Sequence, residues 1–122
     1  MKKQTAQRRS NQSALLLGAH MSIGGGVHMA IERGCSINCT AIQMFVKNNM
    51  QWFARPLARD EIRAFLEHRQ RGNLLSIFAH ANYLINLAAT NPQFHANSIR
   101  ALSEELTRGD QLELPFLVLH PG

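Results

Sequence analysis

Four short runs of apolar residues recur along the chain, and each has the length of a buried β-strand. They cover residues 15–19, 41–46, 74–79 and 116–119. Within each run the apolar residues follow one another almost continuously instead of alternating with polar ones. Such runs are typical of parallel strands that are covered on both faces, so the pattern predicts a parallel sheet inside a core.

Two of the segments between these runs have the periodicity of amphipathic helices. The first covers residues 27–33, after three glycines, and is expected to end at Gly34. The second carries one apolar stripe with charged residues on its other side, and a glycine follows it as a stop. The stripe and the stop are Ala58, Ile62, Phe65, Leu66 and Gly72.

A third helix is predicted to begin at Asn91 and Pro92, because asparagine caps helix N-termini and proline suits the first helical position. Gly109 is expected to interrupt or end this helix. Its apolar stripe is predicted to consist of Ile99, Leu102 and Leu106. Strands and helices therefore alternate from the first strand to the fourth, which predicts an α/β fold with helices packed on a parallel sheet.

Residues 1–13 are polar and basic, so we expect a flexible extension there and a single domain over residues 14–122. The chain has 122 residues and a formal net charge of +5, with thirteen lysines and arginines against eight acidic residues. Without the basic residues of the extension, nine positive charges face eight negative ones. Charge alone is therefore weak support for a nucleic-acid partner. The basic residues of the extension are Lys2, Lys3, Arg8 and Arg9.

The compartment is predicted from three features of the sequence. No apolar stretch reaches the roughly 18 to 20 residues that a membrane span needs, and the N-terminus lacks the apolar region of a secretory signal. Cys35 and Cys39 are the only cysteines, and they are expected to be free buried thiols. These features predict a cytoplasmic protein with no membrane partner.

Histidines recur where the predicted strands end. His20, His80 and His120 follow the first, third and fourth apolar runs, and Lys47 follows the second. The carboxyl ends of parallel strands meet at one edge of a sheet, where α/β proteins collect their functional residues. Imidazoles from separate strands can share one Zn²⁺ ion, although all eight carboxylates lie within or beside predicted helices. A metal site and three structural histidines both remain open on spacing alone.

Two other features allow a functional interpretation, but a structural role is favoured for both. The three glycines at 24–26 precede a helix, as in a phosphate-binding loop, but they lack the spacing of the recognised motifs, which favours a turn. Some aromatic residues are candidates for stacking on bases, although aromatic side chains are packing residues first. These are Trp52, Phe53, Tyr83 and Phe94.

The residues at the predicted strand ends resemble the endonuclease IV family in four places, in the family's order. This family comprises zinc-dependent apurinic/apyrimidinic endonucleases with a (β/α)₈ TIM barrel, and the resemblance covers about residues 15–122. The segment from Tyr83 to Leu87 after a strand-end histidine is specific for this family when it occurs together with the motif His120-Pro121-Gly122. The motifs are Gly18-Ala19-His20-Met21-Ser22, Phe45-Val46-Lys47-Asn48 leading to Gln51-Trp52, His80-Ala81-Asn82-Tyr83-Leu84-Ile85-Asn86-Leu87, and His120-Pro121-Gly122.

The resemblance implies roles for most of these residues. His80 and His120 match two ligands of the family's three-zinc cluster, which hydrolyses the phosphodiester 5′ to an abasic site in base-excision repair. Four residues match segments on the DNA side of the family's barrel, where an apolar wedge compensates for lost stacking. These are Gln51, Trp52, Tyr83 and Leu84, with Lys47 of the second motif grouped with them; His20 and Asn86 are expected to support the site.

The sequence also departs from the family's pattern. Met50 stands in place of a basic residue that inserts into DNA, Ala81 in place of an acidic residue, and Glu113 in place of a glycine. A (β/α)₈ barrel typically needs about 250 residues, so this chain is expected to form only the first four strands and three helices of one. The ligands from later strands would then be missing, which predicts exposed sheet edges and weak or no cleavage by this chain alone.

Two alternatives to the nuclease interpretation follow. The half-barrel could act as a DNA-binding or self-associating remnant without catalysis, and a missing C-terminal half or a second copy would then cover the exposed face. A metal-dependent sugar isomerase with a similar barrel is a further possibility, which the segment after His80 argues against.

Overall fold

The computed structural model describes residues 14–122, so the flexible extension predicted over residues 1–13 lies outside the described part of the chain. Four strands and three helices alternate, which confirms the predicted α/β order. The elements are β1 (Gly18–Met21), α1 (Met29–Ser36), β2 (Ala41–Met44), α2 (Arg59–Arg71), β3 (Ser76–His80), α3 (Pro92–Gln111) and β4 (Leu117–Val118).

The strands form one parallel sheet in the order β1-β2-β3-β4. Ala41 of β2 is aligned with Gly18 on one side and with Ser76 on the other. This register brings the carboxyl ends of β1, β2 and β3 to the same edge of the sheet. We call this edge, with the loops that leave it, the carboxyl edge.

The first strand begins later than the apolar run predicts, at Gly18 instead of at residue 15. The hydroxyl of Thr40 donates a hydrogen bond to the Leu15 carbonyl (2.6 Å) and accepts one from the Leu17 amide (2.8 Å). This side chain therefore satisfies backbone groups that a strand ladder would otherwise satisfy, and ladder pairing begins only beyond it.

One face of the sheet is covered and the other is open, which corrects the expectation from the apolar runs that both faces are buried and agrees with the exposed face expected of a half-barrel. Ile42, Met44, Ile77 and Ala79 are buried in the core with residues of the helices. The opposite face forms an open depression of about 610 Å³. Its lining includes Leu16, Gln43, Phe78, Phe116 and Val118.

Large apolar side chains are exposed at the two sheet edges, as the half-barrel prediction requires. Leu15, Leu16 and Leu17 precede β1 and are all more than half exposed, and Phe116 beside β4 is 56% exposed. Since β1 and β4 are the outer strands of the sheet, both of its edges lie without a neighbouring strand among the described residues.

The apolar stripe predicted for the second helix is confirmed for Ile62, Phe65 and Leu66, but Ala58 is wrong, because it is the exposed N-cap residue before α2. Phe65 is completely buried, and Ile62 and Leu66 pack against the same core. Gly72 follows α2, and its amide donates to the His68 carbonyl (2.8 Å), so the predicted stop is also confirmed. Gly34, in contrast, lies inside α1, which runs on to Ser36.

The stripe predicted for the third helix is wrong for Ile99 and Leu106, whereas Leu102 is half-buried against the core. Helix α3 buries Ser98, Ala101 and Glu105, whereas Ile99 and Leu106 are more than half exposed. The buried face therefore lies one residue away from the predicted stripe, about 100° around the helix axis. Gly109 neither interrupts nor ends the helix, which continues to Gln111.

Two further expectations concern the thiols and the membrane. Cys35 and Cys39 are both free, and Cys39 is buried, as predicted, but Cys35 is only half-buried. Among residues 14–122, none of the helices combines the length and the apolar character that crossing a bilayer demands.

Candidate functional site

Three histidines meet at the carboxyl edge. His20 lies in β1, His80 ends β3, and His120 follows β4. The ring centroids of His80 and His120 are 5.1 Å apart, and those of His20 and His80 are 6.4 Å apart. The parallel register thus brings together the three histidines that the apolar runs placed at strand ends.

Aromatic rings separate and surround these imidazoles. Phe45 follows β2, and its ring lies 4.4 Å from that of His20 and 5.9 Å from that of His80, measured between centroids. Tyr83 packs edge-on against Phe45 at 5.3 Å, yet 69% of its surface is exposed. The candidate site is therefore a group of three imidazoles with the exposed phenol of Tyr83 at its rim.

The hydrogen bonds of His80 indicate which of its nitrogens is free. Its Nδ1 lies 2.7 Å from the carbonyl oxygen of Ala81. A carbonyl can only accept, so Nδ1 must carry the proton, and in the neutral ring Nε2 keeps its lone pair. A backbone carbonyl that fixes the tautomer in this way is typical of metal-binding histidines.

The described residues do not form a complete metal site by themselves. Within residues 14–122, no three histidine, cysteine or acidic side chains are placed to share one metal ion. A catalytic zinc normally has three protein ligands. By themselves, His80 and His120 could offer a metal ion two imidazoles at most.

Lys47 is buried, although the sequence suggested that it faces DNA. Only 3% of the residue is exposed, and its Nζ lies 3.4 Å from Oε1 of Glu105 in α3. The ammonium group also donates to the carbonyl of Gln51. A contact between this group and DNA would therefore require that its pairing with Glu105 break.

Glu105 also binds the loop that follows β3. The backbone N–H of Asn82 lies 3.2 and 3.0 Å from the two carboxylate oxygens of Glu105. The side-chain amide of Asn82 donates to the carbonyl of Gln51 (2.6 Å), and its Oδ1 accepts from the Leu84 amide (2.8 Å). The loops after β2 and β3 are thus joined to each other and to α3.

Burial affects the protonation of both members of this pair. It lowers the pKa of Lys47, and the Glu105 carboxylate opposes that shift. It raises the pKa of Glu105, against the opposing effects of the Asn82 N–H and of Lys47. Removing either partner would leave an uncompensated charge in the interior, which is costly.

Other polar residues on the same face of α3 bind the same loops. The Ser98 hydroxyl accepts a hydrogen bond from the Asn86 amide (3.0 Å). Arg108 donates to the carbonyl of Val46 (2.9 Å) and to that of Arg55 (2.7 Å). These contacts explain why α3 buries a polar face in place of its apolar stripe.

Segments 48–52 and 82–84 project from the carboxyl edge beside each other. Each contains an Asx turn, in which Asn48 accepts from the Met50 amide (2.9 Å) and Asn82 from the Leu84 amide. Met50 is 77% exposed, Leu84 is 37% exposed, and Gln51 is exposed. The structure therefore brings together the segments that the sequence motifs selected.

Trp52 and Asn86 lie on the α3 side of the loops. The Trp52 ring is half-buried and stacks on Phe94 of α3 with centroids 6.4 Å apart. The Asn86 side chain is exposed and accepts from the Ala88 amide (2.9 Å), which shapes the loop that leads to α3. The sequence alone assigned no role to Glu105 or to the buried Asn82. Asn82 stood only as part of the motif after His80, and nothing local marks a helical carboxylate such as Glu105 as internal.

Comparison with known proteins gives consistent matches in sequence. No family model matches the chain. A protein of Chloroflexus aggregans named "Probable endonuclease 4" is 46% identical over 105 residues, which are 86% of this chain and 37% of that protein. Its counterpart in Thermoplasma volcanium is 35% identical over 114 residues, which are 93% of this chain and 41% of that protein.

A solved structure agrees with these sequence matches. The crystal structure of endonuclease IV from Thermus thermophilus is similar with a TM-score of 0.79 and 32% identity, over 87% of this chain and 40% of that one. The chain thus spans about two fifths of the length of these relatives, over their N-terminal part. The resemblance to endonuclease IV that the motifs indicated is confirmed, and so is the predicted TIM-barrel fragment.

Proposed function

We propose that this chain provides the N-terminal part of a zinc-dependent AP endonuclease, which hydrolyses the phosphodiester 5′ to abasic sites in DNA. The observation that carries the proposal is the pairing of His80 and His120, with ring centroids 5.1 Å apart at the carboxyl edge. The similarity to proteins named endonuclease 4 supports it. A cytoplasmic location is part of the proposal, which the two free cysteines support.

His80 and His120 are proposed as metal ligands. The bond between Nδ1 of His80 and the Ala81 carbonyl orients this ring and leaves Nε2 as its donor atom. Bound zinc would supply a Lewis acid that activates water and neutralises charge on the scissile phosphate. The remaining ligands would come from a further part of the barrel, since the described residues offer no third one.

The exposed residues of segments 48–52 and 82–84 are proposed to contact the DNA. Tyr83 and Leu84 stand at the rim of the site, and their apolar surfaces can replace the stacking that is lost where a base is absent. An abasic nucleotide is also inexpensive to extrude, because no base must be unstacked. Gln51 and Trp52 lie on the adjacent loop, and His20 and Asn86 would support the site.

The proposal is tested in a chimaera, in which the 105 matched residues replace their counterparts in the Chloroflexus aggregans relative. Zinc content and incision of an abasic duplex are measured together. His80→Ala and His120→Ala are each expected to lower zinc content and to reduce incision by roughly 100-fold or more, because loss of a ligand costs at least as much as the roughly 10- to 100-fold loss for an outer-shell partner. His95→Ala is the matched control, because His95 is exposed on α3. Wild-type incision by both variants would refute the proposed ligands.

The chain by itself is expected to incise abasic DNA weakly or not at all, because two imidazoles cannot hold a catalytic zinc. Zinc-dependent nicking by the purified chain would contradict this expectation. Separately purified variants that lack His80 or His120 would show whether such nicking came from this site.

A second candidate is a self-associating half-barrel that binds DNA without catalysis. The open face of the sheet favours it, since this face is lined by apolar residues such as Leu16, Phe78 and Phe116. Contiguous exposed apolar surface marks interaction sites. Sedimentation analysis of the chain should then show a dimer, which Phe78→Glu should dissociate. A monomeric chain without affinity for DNA would exclude this candidate.

A further inference from the structure

We propose that Lys47 and Glu105 are positioning residues that join the segments 48–52 and 82–84 into one rigid surface for DNA. The proposal rests on the proposed function, because it assigns those segments to DNA contact. It adds two residues that do not face the DNA themselves. Both side chains are only 1% exposed, so neither contributes to the outer surface of the protein.

Both loops depend on the same buried group. Glu105 accepts from the Asn82 amide through both carboxylate oxygens, at 3.2 and 3.0 Å, and lies 3.4 Å from Nζ of Lys47. Lys47 and Asn82 both donate to one carbonyl, that of Gln51. A displacement of either loop would therefore break a bond that the other loop also uses.

The buried pair carries a cost in desolvation. An enclosed ion pair is weak support for stability, because desolvation offsets most of the attraction between its charges. An apolar pair of similar volume would fill the same space at equal or lower cost. The pair makes directional bonds, however, and apolar side chains would not fix the loops in this way.

The bonds of the buried pair continue to the exposed residues of both loops. The backbone N–H of Asn82 donates to the Glu105 carboxylate, and the side-chain oxygen of Asn82 accepts from the Leu84 amide at 2.8 Å. Its position therefore sets the turn that presents Tyr83, of which 69% is exposed. On the other loop the Gln51 carbonyl is held from two sides, next to the exposed Met50.

The test uses the chain itself with three variants. Lys47→Met combined with Glu105→Leu removes the pair without leaving a buried charge, and Glu105→Gln keeps one acceptor for the Asn82 amide. Glu104→Gln is the matched control, because Glu104 is the neighbouring acid on α3 and pairs with Arg100 of the same helix (3.6 Å). Amide hydrogen exchange is followed at Asn82 and Leu84 and compared with strand β3.

In the double variant, exchange at Asn82 and Leu84 is expected to accelerate roughly tenfold or more relative to β3, since charge-assisted bonds are lost locally. Glu105→Gln should also accelerate exchange at these amides, because it leaves the buried Lys47 without its counter-charge, and Glu104→Gln should have no effect. Unchanged protection at both amides would overturn the proposal. Equal acceleration throughout the chain would also overturn it, because the pair would then stabilise the whole fold and not the loops.

Fluorescence provides a second readout of loop spacing. Trp52 is the only tryptophan and Tyr83 the only tyrosine, so energy transfer between them reports the separation of the two segments without a label. The double variant is expected to change this transfer, whereas Glu104→Gln should not. Transfer that stays constant in the double variant would count against the proposal.

A binding measurement separates this inference from the proposed function. Affinity is compared for abasic and intact duplexes of one sequence, with the chain and with the double variant. Loss of an abasic preference together with faster exchange supports both proposals. If the original chain has no such preference while exchange still accelerates, the proposed function fails and the positioning role stands.

Discussion

A Cβ atom placed on Gly34 would lie only 2.6 Å from Cγ2 of Ile42, so α1 packs against β2 at a distance that only glycine permits. Gly109 in α3 is the opposite case, because a Cβ there would meet no neighbouring atom within 4 Å. The two helical glycines therefore have different physical reasons for being tolerated.

The same substitution should change stability in opposite directions at these two positions. Gly109→Ala is expected to stabilise the chain by about 0.5 to 1 kcal/mol, because alanine loses less backbone entropy in a helix. Gly34→Ala should destabilise it by roughly 1 to 3 kcal/mol, because the methyl group overpacks the core. Urea unfolding measures both. Changes of the same sign in the free energy of unfolding would contradict the difference in packing around the two glycines.

Glu113 is expected to be replaceable by glycine with a gain in stability. Its φ is 54°, a left-handed conformation that is strained for most residues with a Cβ. Glu113→Gly should raise the free energy of unfolding by about 0.5 to 1 kcal/mol, since the relieved strain exceeds the entropy that glycine adds to the unfolded chain. Asn38→Gly at φ 60° is the control and should gain less, because asparagine tolerates this region. A loss of stability in Glu113→Gly would contradict this.

The stability of α2 should depend on pH through Glu61. Hydrogen bonds from Arg55 and from the Ala58 amide lower the pKa of Glu61 from 4.5 to about 2. A lowered pKa in the folded state means that the stabilisation is present above pH 4.5 and is lost as the pH falls towards 2.

Glu61→Gln is therefore expected to lower the melting temperature near neutral pH, and the difference from the original chain should vanish near pH 2. Glu67→Gln, on the exposed side of the same helix, serves as the control. A difference that persists unchanged at low pH would exclude the ionised Glu61 as its source. The effect should shrink in high salt, because solvent reaches both Glu61 and Arg55.

A basic residue at position 50 is expected to strengthen DNA binding. Met50 is 77% exposed beside Gln51, and the resemblance places a basic residue at this position. Met50→Arg should tighten binding to an abasic duplex and make the slope of log affinity against log salt more negative by about 0.9, as one added phosphate contact predicts. Fluorescence anisotropy at several salt concentrations measures this.

Ile37→Arg provides the control for added charge. Ile37 is 61% exposed but follows α1, next to the turn that leads into the start of β2 and away from its carboxyl end. It should change the affinity and the salt slope much less than Met50→Arg. Equal effects of the two substitutions would mean that DNA binds by net charge alone and that the carboxyl edge has no special role.

The sequence by itself determined the order of the elements and the location of the site. Short apolar runs and the helical period of α2 are local patterns, and local patterns survive folding when each element buries its own apolar residues. The strand-end positions of His20, His80 and His120 follow from the same runs, because parallel strands place their carboxyl ends together. The motifs that carry the family resemblance are also local patterns, so the resemblance could be read from the sequence.

Only the tertiary structure decided which face of α3 is buried and what Lys47 does. A carboxylate becomes internal only when distant partners satisfy it, and for Glu105 these are Lys47 and the Asn82 amide. Neither partner is near Glu105 in sequence, so periodicity favoured the apolar stripe that the folded chain exposes. The start of β1 was decided in the same way, by hydrogen bonds that Thr40 makes across the sheet edge.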